Sequence, residues 1–192
     1  MGRFSTTIQI KIDSKTKFTD AFCEMMKKRG FVPCSEDEAA LSYLIAFGGG
    51  WTTLTSEDYS ENPQKANEDM QQIAGELNTT VFSVTVVDSD FAILEQCGEN
   101  SDTIIVGDGS AYGIEDAPRG RRECWEPLLA EGKTWEQLSE ICEKNEVFAE
   151  DTLCEAAPLL DIEPRYMFAD YRDFSENAAS DSNITAMFFK KA

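Results

Sequence analysis

The chain has no histidine. That removes the commonest general base and the commonest metal ligand. Ser-His and Cys-His nucleophilic pairs are excluded with it, as are the usual zinc hydrolase ligand sets. Long apolar runs are missing too: none approaches the roughly 18–20 residues of a membrane-spanning helix. Met1-Gly2-Arg3-Phe4-Ser5 leads into alternating polar and apolar residues, without the continuous apolar stretch of a secretory signal. Gly2 with Thr6 matches an N-myristoylation pattern only loosely. Six cysteines occur, at 23, 34, 97, 124, 142 and 154, and none forms a C-x-x-C pair. Reduced thiols in the cytoplasm are the expectation without a secretory signal. Several of these cysteines sit on the apolar side of predicted helices, as small hydrophobes. No metal site and no cofactor is expected.

Negative charge is what the chain has in excess. Its 36 Asp+Glu oppose 17 Lys+Arg, a formal net charge of −19 over 192 residues. The 42% hydrophobic and 10% aromatic content is too high for an acidic disordered tail, so the charge sits on a folded body. It is unevenly spread. Residues 1–35 carry seven cations against Asp13, Asp20 and Glu24, which leaves the remainder of the chain at −23. Such an excess opposes compaction and serves either solubility or a basic partner.

Periodicity gives an α+β fold in a single domain, with a sheet subregion over 1–110 and a helical subregion over 119–175. Residues 4–12 alternate as a half-buried strand. Ser14 caps a helix with Phe18, Ala21, Phe22, Met25 and Met26 on one stripe, ended by Lys27-Lys28-Arg29 and Gly30. That basic cluster reads as stabilisation of the helix end. Residues 39–47 and 51–56 form a hairpin about Gly48-Gly49-Gly50. Asn62-Pro63 opens a second helix that runs to Leu77, with Ala66, Met70 and Ile73 inward. Three strands follow near 80–88, 90–97 and 103–107. The order is β-α-β-β then α-β-β-β, a mainly antiparallel sheet with two helices packed on it. Helices are predicted at 122–129, after the Thr134–Gln137 capping box, at 148–159 and from Pro164. Residues 175–183 read as a polar loop, and Ile184–Phe189 as a last strand.

Three constellations bear on chemistry. Asp88, Asp90, Asp102 and Asp108 lie at strand ends, where carboxylates hold Mg²⁺ or Ca²⁺ in some proteins. Turn capping explains the same residues more simply. Gly107-Asp108-Gly109-Ser110-Ala111-Tyr112-Gly113 follows a strand but has neither G-x-G-x-x-G spacing nor a Gly-Lys-Ser/Thr. The third is acidic. Glu136, Glu140 and Glu143 recur at i, i+4 and i+7, opposite Trp135, Leu138 and Ile141, with Glu115 and Asp116 expected at the rim. Direct nucleic-acid binding is not expected, because it needs a basic stripe.

Gly50-Trp51-Thr52-Thr53-Leu54-Thr55-Ser56-Glu57, Val84-Thr85-Val86-Val87-Asp88-Ser89-Asp90-Phe91, Phe148-Ala149-Glu150-Asp151 and Leu159-Leu160-Asp161-Ile162 together resemble small acidic bacterial proteins. Some of those are regarded as immunity partners of secreted toxins. The resemblance implies a binding role and carries over no active-site residue. The expectation is therefore a cytoplasmic, non-catalytic binding protein, of immunity type or a nucleic-acid mimic. It docks a basic protein, such as a nuclease toxin, through Glu136, Glu140, Glu143, Glu115 and Asp116. The alternative is a carboxylate-based, possibly divalent-metal-dependent, enzyme or ligand-binding module.

Overall fold

A computed structural model describes residues 2–12, 14–98, 101–115, 117–144 and 146–192. Eight strands form one antiparallel sheet: β1 Ser5–Ile10, β2 Phe31–Pro33, β3 Leu41–Gly48, β4 Trp51–Ser56, β5 Val81–Val87, β6 Phe91–Gln96, β7 Asp102–Gly107 and β8 Ile184–Lys191. Their spatial order is β2-β8-β3-β4-β1-β5-β6-β7. Two helices, α1 Lys15–Lys28 and α2 Pro63–Leu77, cover one face. Five short helices, α3 Arg122–Trp125, α4 Trp135–Cys142, α5 Ala149–Ala156, α6 Pro164–Met167 and α7 Tyr171–Asn177, lie on the other. The fold is α+β.

The first face follows from simple alternation. Ile8, Ile10, Tyr43, Ile45 and Leu54 meet Phe18, Phe22 and Met26 of α1 and Met70 and Ile73 of α2. Ser14 caps α1 by accepting from the Lys17 amide. Pro63 opens α2, which ends at Asn78 in left-handed backbone. Trp51, Phe82, Val84, Val86, Leu94, Ile104 and Val106 point to the opposite face, against Trp125, Leu138, Cys142 and Leu153. Trp51, Phe82 and Trp125 stack edge to face, with centroids 5.2 and 5.5 Å apart.

Four features depart from the sequence reading. β1 is buried on both faces, because the segment between α6 and α7 covers its polar side. Ser5 Oγ donates to the Phe168 carbonyl at 2.7 Å, and Thr7 Oγ1 to that of Met167 at 2.7 Å. Gln9 joins the seam, giving Nε2–H to Thr7 at 3.0 Å and accepting from Thr53 at 2.7 Å. The predicted helix over 122–129 is one α-turn, continued as a tight turn through Pro127. The 148–159 segment likewise tightens at Ala157-Pro158, since proline lacks an amide to donate. Finally, residues 175–177 belong to α7, which Asp170 and Asp173 start by a reciprocal capping box.

Sequence reading placed Asp69 nowhere, yet it is fully buried on α2. Its Oδ1 accepts from Arg29 at 2.6 Å, and its Oδ2 from Tyr43 at 3.0 Å and Tyr59 at 2.8 Å. Burial first, then the Asp69 charge, raises both phenols, so they stay protonated donors. The Lys27-Lys28-Arg29 cluster thus does more than settle a helix end: Lys28 pairs with Glu76, and Arg29 ties α1 to α2 through Asp69. Asp69→Ala would strand three donors, and unfolding stability in urea should fall by about 3–5 kcal/mol. Asp69→Asn, which keeps an acceptor, should lose less.

Asp102 offers a pH test. Burial raises its pKa, but the Arg121 amide at 2.7 Å, the Arg121 guanidinium and the Trp125 Nε1–H at 2.8 Å outweigh that and hold it below the ordinary value. A depressed carboxylate stabilises the fold above its unfolded pKa of about 3.9 and loses that contribution as pH falls through the folded value. The stability gap between the wild type and Asp102→Asn should be full at pH 6 and shrink below pH 4.

Candidate functional site

α4 starts at the capping box between Thr134 and Gln137, with donor–acceptor distances of 3.4 and 3.0 Å. Leu138 and Cys142 anchor it in the core, while Trp135 and Ile141 are half-buried. Its outer side forms a shallow groove of about 480 Å³, lined by Arg122, Trp135, Glu136, Ser139, Glu140 and Glu143. The three predicted glutamates are therefore brought together around the edge of a tryptophan.

The groove is not uniformly negative. Arg122 lies 3.0 Å from Glu136 and 2.7 Å from Glu126. At the other end Lys144 pairs with Glu155, near Glu140 and Glu146. Glu143 accepts from Ser139 at 3.3 Å. Neither Glu140 nor Glu143 has a cation within ion-pair distance among the described residues. Glu115 is exposed but does not line the groove. Residues 118–119 run along β7, the Ile105 amide donating to Pro118 at 2.8 Å, so the segment that carries Glu115 is drawn along the sheet edge. Asp116 lies outside the described residues.

The strand-end carboxylates serve their turns. Asp88 Oδ1 accepts from the Gly2 amide at 2.8 Å, and Asp108 Oδ1 from that of Ser110 at 2.9 Å. Among the described residues no three acids or thiols converge as a metal-ligand set. The glycine-rich segment is a wrap around the β5–β6 turn: Gly107 has φ 82°, and a Cβ there would lie 2.3 Å from the Asp90 carbonyl. Burial pushes the Cys142 thiol up to about 12 and raises those of Cys23, Cys97 and Cys154, which suits packing rather than nucleophilic attack. A broad cleft of about 1140 Å³ opens between α2 and the end of β6, lined mostly by amides and hydroxyls with Glu95 as its one charge among the described residues.

Large exposed hydrophobics give a signal that sequence reading missed. Phe4, Tyr112, Val147 and Phe148 are the four, and all lie beside the 88–90 turn. Arg3 and Ser89 exchange two hydrogen bonds next to Phe4. Tyr112 stacks on Phe91 with centroids 5.1 Å apart. The Ala149 amide, next to Phe148, donates to Ser89 at 2.9 Å. Register across three strands, which residue types alone do not reveal, brings them together.

The chain matches no family model, no curated protein and no solved structure.

Like charges at i, i+4 cost a helix about 0.2–0.5 kcal/mol per pair. Glu140→Gln with Glu143→Gln should therefore leave the melting temperature unchanged or higher, as followed by circular dichroism. A marked drop would make these glutamates structural.

Proposed function

We propose that this is a non-catalytic, stoichiometric binding protein that docks a basic partner protein on the α4 groove. The observation that carries the reading is the half-buried Trp135 ring beside Glu140 and Glu143, two carboxylates without a cation partner among the described residues. A lysine or arginine entering the groove gains a π face and two acceptors at once. Cation–π contact at an exposed site is worth about 0.5–1 kcal/mol, and a surface ion pair about 0.2–1 kcal/mol. The surplus field acts mainly on encounter, by steering. An immunity-type or nucleic-acid-mimicking inhibitor uses such a surface, in line with the resemblance to small acidic bacterial proteins. Direct nucleic-acid binding forms no part of the reading.

The test is affinity capture from the host lysate at low and high salt, with the wild type and with Glu136→Lys, Glu140→Lys and Glu143→Lys combined. A basic protein held at low salt, released at high salt and lost by the variant is the expected result. With the purified partner, the variant should lower the association rate more than it raises dissociation. Capture of the same proteins by the folded variant would overturn the reading.

A further inference from the structure

α1 and α2 do not finish the face they cover. α2 lies over β1 and β5, and among the described residues no helix packs on that face of β6 and β7. The strand register runs one apolar row across it. Phe4 stands beside Val87, one step past the Ser5–Val86 pair, and Val87 pairs with Phe91. Tyr112 stacks on Phe91, and Ile93 and Ile105 pair in the next row but one. None of these six belongs to any of the three buried clusters. Phe4 is 48% and Tyr112 47% exposed.

The gap has the dimensions of a helix. Three strands at about 4.8 Å spacing span about 10 Å, the diameter of one helix. Six residues of strand run about 20 Å, which about fourteen helical residues match. A strand cannot add at the β7 edge, because residues 118–119 already run along it. The margin is acidic: Asp88, Asp90 and Asp108 stand at one end, and Glu95 shares the face. Arg3 is drawn to the other side by Glu150 and Asp173, and Arg119 gives its guanidinium to the Ile105 and Cys142 carbonyls. A second copy would set these carboxylates against their own equivalents on a body of net charge −19.

We propose that this open face is a docking site for an amphipathic, basic helix of a partner protein, laid beside α2 with its apolar stripe on Phe4, Val87, Phe91, Ile93, Ile105 and Tyr112. The site is on the opposite side of the sheet from α4, so it stands or falls independently of the groove reading. Helix-in-groove recognition of this kind takes its affinity from a few apolar anchors and its orientation from the charged rim.

The probe is a helical peptide of about fourteen lysines and leucines, the leucines on one stripe. Two controls replace leucine by serine or lysine by glutamate. Calorimetry and amide-shift mapping are run on the intact wild type, on Phe4→Ser with Tyr112→Ser, and on Glu140→Lys with Glu143→Lys. The expected result is that only the lysine–leucine peptide binds with shifts on β5, β6 and β7. Phe4→Ser with Tyr112→Ser should weaken it about tenfold, the scale of one lost anchor, while the α4 variant should not. Equal binding of the serine control, shifts confined to α4, no binding, or unchanged affinity in the Phe4/Tyr112 variant would each overturn the proposal. So would self-association in sedimentation that the Phe4/Tyr112 variant abolishes, since that assigns the face to a second copy.

Discussion

Everything in the molecule is organised about the burial of β1 on two chemically different sides. Its isoleucines face α1 and α2, while Ser5, Thr7 and Gln9 face the chain between α6 and α7. Buried hydroxyls and amides are costly without partners. Here the partners are the Met167 and Phe168 carbonyls and the Thr53 hydroxyl. The seam therefore specifies which segment may lie on that side of the sheet. A purely apolar strand would accept any greasy helix. This one accepts a piece of backbone with free carbonyls at the right rise, and it fixes α6 and α7 and the helices before them.

The same rule explains how so acidic a chain holds a tight core. Of its carboxylates, Asp69 is the one fully buried among the described residues, and both its oxygens are occupied. The remaining surplus is left to the surface. There the cations are used locally: Arg122 between Glu126 and Glu136, Arg165 between Glu163 and Asp181, Lys190 on Glu38. What stays unpaired is concentrated where strands end and along α4. Surface pairs of this kind contribute little to stability, so their arrangement matters more for what the protein meets than for whether it folds.

Much of the fold was legible because its signals are local. Ser14 and Thr134 cap as their residue types require, Pro63 opens α2, and the alternation in Tyr43–Phe47 and Val84–Val86 gives strands and their inward faces. The misses share one cause: they depend on partners distant in sequence. Serine, threonine and glutamine in β1 look solvent-facing until the 166–168 segment is placed over them. Asp69 sits three residues from Ala66 and four from Ile73, on the apolar stripe of α2, and that misplaced charge was the one local hint of a buried ion pair. The glutamates of α4 were readable from helical spacing. Glu115 was not, because its position is set by pairing along the β7 edge. The open face of β6 and β7 was invisible for a plainer reason: periodicity says which residues want cover, never which of them fail to get it.

The placement of β8 carries a consequence for synthesis. It is inserted between β2 and β3, although it is made from residues 184–191. While a ribosome is still producing the helical segment, the whole edge of β3 lacks its neighbour, and unpaired edges invite wrong associations. The nascent chain must wait for its last few residues before the middle of the sheet can close. A dense coat of carboxylates, emerging on most of what has already been made, would keep such half-built chains apart on crowded polysomes.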